Sequence, residues 1–212
     1  MKTSTVIRTT AYVVTFAWSA VIAVNGLHLS STWSKVVSVI PLVLVLGFAA
    51  WDKWLWRLRP FIYIASRPDL NGTWLGGFDS QWLDANQQLN ESTGPVALAI
   101  KQSFTSLSIT LLAERSTSYS VLSNVRHLES GEYRVNYQYA NTPLIKFRQQ
   151  MPAHDGSAEL KISSVRPSKL TGEYWTNRLS RGALDLTWIS KQRASSLAEA
   201  QAFTPATRRG GN

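Results

Sequence analysis

The side chains best suited to chemistry in this chain are aromatic or hydroxyl-bearing, and they recur at every second position. Tyr133, Val135, Tyr137 and Tyr139 alternate with Glu132, Arg134, Asn136 and Gln138. Further on, Glu173 and Asn177 belong to water, which turns Gly172, Tyr174, Thr176 and Arg178 to the opposite side. A repeat of two gathers each set on one face of a β-strand. Flat rings stack planar bases at about 1–3 kcal/mol per contact. Hydroxyl tips add hydrogen bonds, and a guanidinium fork grips phosphate through paired donors. Tyr133, Tyr137, Tyr174, Thr176 and Arg178 are therefore the candidate ligand-binding residues.

Each has a plainer reading. The tyrosines can be core residues whose hydroxyls find backbone partners, Thr176 can simply fill space, and Trp74 reads as a plug of the floor rather than a contact. Arg178 is the strongest candidate, because a charge on an inward register needs a partner.

Catalysis finds no comparable support. His28, His127 and His154 show no metal-ligand spacing, and the chain has no cysteine, so thiolate nucleophiles and cysteine-rich zinc sites are excluded. No phosphate loop, nucleophile elbow or paired carboxylates are present. Neither a catalytic residue, a metal nor a cofactor is expected.

The elements that must hold these residues are strands. From Leu70 onward eight are expected: 72–82, 96–103, 107–113, 118–126, 132–139, 157–163, 170–177 and 183–190. Between several of them lie turn residues: Ser130-Gly131, Asn141-Thr142-Pro143, His154-Asp155-Gly156 and Arg166-Pro167-Ser168. On the first strand Trp74, Gly76 and Phe78 share the inner face; on the last, Leu184, Leu186 and Trp188 do. Eight antiparallel strands with one apolar face need closure to remove their edges. An up-and-down barrel over residues 70–192, wide enough for a small ligand, is the expected fold, with a two-sheet sandwich as the alternative.

Ahead of the barrel stand two long apolar runs, at about 9–27 and 36–56. Each is long enough to cross a bilayer as a helix and lacks a polar stripe, so residues 1–60 are expected to form a transmembrane helical hairpin. Pro41 is expected to kink the second helix. Trp51, Trp54 and Trp56, with Lys53, Arg57 and Arg59, are expected at the membrane–water boundary. Small residues recur every four positions in the first helix (Ala11, Thr15, Ser19 and Ala23), a pattern suited to close helix approach between subunits or within the hairpin. Residues 61–69 read as a linker and 193–212 as a disordered tail.

The net charge of +9 is concentrated at the front, where residues 1–68 hold seven Lys/Arg and one acid. That distribution speaks for a membrane flank rather than a nucleic-acid polymer. Lys2 and Arg8 precede the first run, and Lys53, Arg57, Arg59 and Arg67 lie at or beyond the end of the second, whereas Lys35 is the only basic residue of the connecting 25–35 loop. The positive-inside rule then puts both termini and the barrel in the cytoplasm.

Residues 72–76, Gly-Thr-Trp-Leu-Gly, resemble the Gly-x-Trp opening strand of lipocalin-like barrels. A two-span hairpin leads through Pro68–Gly76 into the eight strands, which close with residues 170–178, Leu-Thr-Gly-Glu-Tyr-Trp-Thr-Asn-Arg, Gly182 and a last strand. Over about residues 5–192 this arrangement resembles the SMODS-associated two-transmembrane β-strand-rich effectors of the bacterial CBASS anti-phage systems. The resemblance implies a cytosolic barrel that binds a cyclic dinucleotide from a partner nucleotidyltransferase. It further implies ligand-induced homo-oligomerisation through the hairpin and disruption of the inner membrane. A membrane-tethered carrier or sensor of an apolar small molecule is the alternative, and a barrel filled by its own side chains, an inert scaffold, is a third.

Overall fold

Eight strands close on themselves in chain order. In the computed structural model, which describes residues 3–25, 31–84 and 86–203, they are β1 (Gly72–Leu83), β2 (Leu89–Gln102), β3 (Leu107–Ala113), β4 (Ser116–His127), β5 (Tyr133–Pro143), β6 (His154–Ile162), β7 (Lys169–Thr176) and β8 (Arg181–Ser190). Each is antiparallel to the next, and β8 returns to pair with β1 along Thr73–Gln81. The fold is a closed barrel, and the sandwich alternative is ruled out. Lys2, His28 of the connecting loop and residues 204–212 of the tail lie outside the described residues.

Two expected turns prove to be strand. Asn141-Thr142-Pro143 ends β5 and His154-Asp155-Gly156 opens β6, because the two segments pair with each other, Asn141 opposite His154 and Tyr139 opposite Gly156. Ladder pairing overrides the local turn preference of Asn, Asp and Gly. The real β5–β6 connection lies further out, and Ile145–Phe147 form a 3₁₀ turn in it.

The barrel is filled at the end where the chain enters it. Leu70, Trp74, Leu98, Ile100, Ile109, Val135, Leu160, Leu170 and Leu186 are buried there or in the wall above. The Trp74 indole donates to the Leu70 carbonyl at 2.9 Å, so the glycine-flanked tryptophan is a floor plug. The expected 61–69 linker is ordered: α3 (Phe61–Ile64) buries Ile62. The buried Gln102 side chain accepts from Leu70 N at 2.8 Å and donates to the Pro68 carbonyl at 2.9 Å.

The expectation of a disordered tail is corrected over its first part. Residues 197–202 form α4 (Leu197–Ala202), capped by Ser196, whose hydroxyl accepts from Glu199 N. Ala194, Leu197, Ala200 and Phe203 pack on Leu75, Ala97, Ala99 and Leu112 of the barrel's outer wall. This explains why β2 is buried on both faces from Val96 to Ile100.

Residues 1–61 with 103–106 form a second compact unit. It holds α1 (Thr3–Asn25) and α2 (Ser31–Lys53), packed on each other. Ala11, Thr15 and Ser19 are half-buried while Tyr12, Val13, Val14, Phe16 and Trp18 are exposed. The Thr15 and Ser19 hydroxyls bond back to the carbonyls four residues earlier, at 2.8 and 2.9 Å. On α2 Pro41 is buried and Val45 and Phe48 half-buried, with Val39, Ile40, Leu42, Val43, Leu44 and Leu46 outward. Ala23 is exposed. Among the described residues no helix is long and apolar enough to cross a membrane.

The aromatic boundary differs from expectation. Trp56 is fully buried and Trp51 half-buried, both edge-on to Phe104, and only Trp54 is outward. Beside them the buried Asp52 carboxylate accepts from Thr105 N at 2.8 Å, the Thr105 hydroxyl at 2.7 Å and the Ser103 hydroxyl at 3.1 Å. These donors offset the cost of burying the side chain.

Candidate functional site

A cavity of about 610 Å³ occupies the half of the barrel away from Trp74, within the size range of small-molecule sites. It opens where the β1–β2, β3–β4, β5–β6 and β7–β8 connections meet. Its existence follows from three cross-strand pairs. Phe78 faces Gly94, Tyr139 faces Gly156 and Tyr174 faces Gly182. A Cβ at Gly156 would overlap the Tyr139 ring; one at Gly182 would stand 2.7 Å from the Tyr174 ring, and one at Gly94 3.2 Å from Phe78. The rings cover their glycines, so large side chains line the wall without meeting across the lumen.

Four of the five expected ligand residues line this cavity: Tyr137, Tyr174, Thr176 and Arg178. Tyr133 does not. It sits at the opposite end of β5, stacked on His127 with ring centroids 4.5 Å apart, because each two-residue step along a strand carries it about 7 Å from the mouth.

The tyrosines form a hydroxyl cluster. Tyr137 and Tyr139 have tilted rings 5.9 Å apart. Burial pushes both hydroxyls well above the ordinary tyrosine range, each reinforced by a neighbouring tyrosine, so both keep their protons. Burial also raises Tyr174, against a hydrogen bond with Ser80. Tyr137 is only 4% exposed and its hydroxyl has no hydrogen-bond partner among the described residues. An unmet polar group of this kind costs about 1–3 kcal/mol.

Thr176 lines the cavity beside the β7–β8 turn. Its hydroxyl pairs with the Ser180 hydroxyl at 2.7 Å and accepts from Arg178 N at 3.2 Å. It organises the β7–β8 turn, in which Leu179 takes a left-handed conformation with φ 59°. Arg178 is held out on that turn, exposed at the mouth and lining the cavity from its rim.

Sequence reasoning missed several residues of the wall. Arg115 on the β3–β4 turn lines the cavity, and so do Phe147, Gln150 and Met151 of the β5–β6 connection. Arg115 and Lys146 flank Phe147 with their cations 5.5 and 4.8 Å from its ring centroid, and the Arg115 carbonyl accepts from Leu144 N at 2.9 Å. These contacts fasten the β5–β6 connection to the β3–β4 turn. Asn141 also lines the wall, buried to 6% exposure; its Nδ2 donates to the Ser116 and Ser118 hydroxyls, both at 2.9 Å. His154, expected as an ordinary turn residue, is a lining residue of β6. Burial lowers its pKa, and nearby Arg178 adds to the lowering, while the Pro152 carbonyl and Asp155 oppose it. Among the described residues no group of three or more His, Asp or Glu is placed to hold a metal ion.

The chemistry on offer is therefore recognition: aromatic walls, neutral hydroxyl and amide groups inside, and at the rim the cations Arg115 and Arg178 with the Glu114 carboxylate beside Arg115. Over residues 65–188, a span that takes in all of the cavity wall, the chain matches the family model described as Cap15, cyclic dinucleotide receptor domain. It is 22% identical over 154 residues to the CD-NTase-associated protein 15 of Staphylococcus schleiferi, covering 73% of this chain and 79% of that one. With the CD-NTase-associated protein 15 of Escherichia albertii it shares 24% identity over 149 residues, 68% of this chain and 72% of the other.

Proposed function

The chain belongs to the Cap15 cyclic dinucleotide receptor family, and from that premise we propose that its lumen binds a cyclic dinucleotide as the trigger of a CBASS anti-phage effector. The nucleotide comes from a partner nucleotidyltransferase, the class of enzyme that the names of both relatives invoke. The observation that carries this reading is the cavity itself. Tyr139, Tyr174 and Phe78 supply faces for base stacking, and Arg178 at the rim supplies a phosphate fork. The hydroxyl and amide groups of Tyr137, Tyr139, Tyr174 and Asn141 favour a ligand with polar groups over an apolar cargo, and a barrel with about 610 Å³ open is not filled by its own side chains.

The output is disruption of the inner membrane by clustered hairpins. The outward apolar side chains of α1 and α2 support a membrane setting, and the cations around both runs support an orientation with the termini and the barrel in the cytoplasm. The Ala11, Thr15 and Ser19 stripe is half-buried in a helix that packs on α2, so its first use is to bring the two helices of one chain together. Homo-oligomers then form through the outward surfaces, with Ala23 the member of the stripe left exposed. A ligand drives such assembly only by binding the assembled form more tightly than the single chain.

Full-length protein in dye-loaded liposomes tests this directly. Addition of the matching cyclic dinucleotide releases dye, and the Arg178→Gln variant requires about 10-fold more ligand, the loss of one charge-assisted contact. Release without ligand, or none at saturating ligand, would contradict the proposal.

A further inference from the structure

We infer that Arg115 is a second phosphate-holding residue, placed across the mouth from Arg178, so that a cyclic dinucleotide lies with its macrocycle spanning the mouth and one phosphate on each arginine. The inference rests on the lumen being a cyclic dinucleotide site, and it adds the residue and the span that tell two phosphates from one.

The order of the strands sets the two positions. Because the eight strands close in chain order, the β3–β4 and β7–β8 turns stand four strands apart whichever way the wall is counted, hence on opposite sides of the mouth. Strands about 4.8 Å apart and tilted by about 40° enclose a barrel about 16 Å across. Arg115 rides on the first turn and Arg178 on the second; both are exposed, and both line the cavity. Among the described residues neither makes an ion pair with a carboxylate. Lys146 and Arg148, the cations of the intervening β5–β6 connection, do not line the cavity.

Both turns are braced. The Arg115 carbonyl accepts from Leu144 N at 2.9 Å, and the Asn141 amide bonds the Ser116 and Ser118 hydroxyls where β4 begins. On the other side Arg178 N donates to the Thr176 hydroxyl at 3.2 Å. A backbone held in this way leaves only the side chains to be ordered on binding, which lowers the cost of capture.

Charge and shape then select the occupant. A cyclic dinucleotide is one ring with two phosphodiesters on opposite edges, and a guanidinium takes a phosphate through paired N–H donors. Two such forks on opposite sides of the mouth match two phosphates on opposite edges, whereas a cyclic mononucleotide engages only one fork. The carboxylate of Glu114, next to Arg115 and also at the cavity wall, repels an anion that arrives there. It therefore reports on the arrival.

The full-length chain in nanodiscs is titrated calorimetrically with cyclic di-AMP, cyclic AMP–GMP, cyclic di-GMP and cyclic di-UMP, and with cyclic AMP as the one-phosphate probe. For the best cyclic dinucleotide, Arg115→Gln and Arg178→Gln each weaken binding about 10-fold. Glu114→Gln tightens it about 2- to 4-fold, because a repelling charge is gone. Lys146→Gln removes the other cation against the Phe147 ring and keeps native affinity, which separates phosphate holding from the fastening of the β5–β6 connection. Cyclic AMP binds at least about 10-fold more weakly than the best cyclic dinucleotide, and at most one of the two arginine substitutions affects it. Native affinity in Arg115→Gln, equal losses in Arg115→Gln and Lys146→Gln, or weaker binding by Glu114→Gln would overturn the second phosphate contact and leave the Arg178 site standing. A native chain that binds no cyclic dinucleotide would instead overturn the site itself, and this inference with it.

Discussion

Tyr139 stands directly across the β5–β6 ladder from Gly156, with its ring over the glycine where a Cβ would be. The open lumen depends on this arrangement as much as on the barrel's girth. Gly156→Ala would drive a methyl into the ring and to 2.8 Å from the Trp175 carbonyl. The expected cost is about 1–3 kcal/mol of stability from overpacking, with ligand affinity reduced as Tyr139 tilts inward. Gly77→Ala is the control, since its Cβ would meet only the Gly94 carbonyl at an ordinary 3.5 Å. Urea unfolding of both variants, with ligand titration of each, checks the pair; equal stabilities would refute the packing argument.

Thr176 acts on Arg178 through the backbone. Replacing its hydroxyl by the isosteric Thr176→Val leaves Arg178 N without its acceptor and the Ser180 hydroxyl without its partner. Stability should fall by about 1–2 kcal/mol, and ligand affinity should fall as the rim arginine loses its fixed position. Thr176→Ser keeps the hydroxyl and should restore both. Failure of serine to rescue would show that the methyl, not the hydrogen bond, matters.

Leu179 pays a backbone cost on the same turn. It is 87% exposed and left-handed at φ 59°, a conformation that L-residues adopt at a penalty of about 1–2 kcal/mol. With no burial to lose, Leu179→Gly should raise stability by about 0.5–1 kcal/mol, measured as a higher urea midpoint at unchanged slope. A lower midpoint would mean that the turn needs the leucine side chain.

His154 makes the site pH-sensitive. Its folded pKa is lowered, first by burial, so between that value and about 6.5 the unfolded chain binds more protons than the folded one. Its contribution to stability is full above about pH 6.5 and is lost as pH falls below it. Phosphate bound near Arg178 would favour the protonated ring, so ligand affinity should increase from pH 7.5 to 6. His154→Gln should flatten both profiles. An affinity that drops with pH in the native protein and not in the variant would reverse the assignment.

Much of the barrel was legible because its strands alternate cleanly. The inward register of Tyr137, Tyr139, Tyr174, Leu184, Leu186 and Trp188 needed only a period of two, and all are at least half-buried. Asn141 and His154 escaped notice because they lie in triplets rich in Asn, Asp, Pro and Gly, whose local preference is for turns; only pairing of one triplet with the other makes them strand. Arg115 and Phe147 come together through two separate connections, which no spacing rule reveals. The tail helix did carry a signal, apolar residues at 194, 197, 200 and 203, but its partner surface of Ala97 and Ala99 on the outer wall was hidden by their position opposite the core face. Trp51 and Trp56 read as interfacial anchors from composition, whereas Phe104, some fifty residues away in sequence, buries them.

The most direct test of the central claim is calorimetric titration of the full-length protein in nanodiscs with cyclic dinucleotides, native beside Arg178→Gln. Saturable binding of one ligand per barrel is expected for at least one member at micromolar Kd or tighter, weakened about 10-fold in the variant. No binding by any member up to about 100 μM, a free energy of only about −5.5 kcal/mol, or identical binding by native and variant proteins would contradict it.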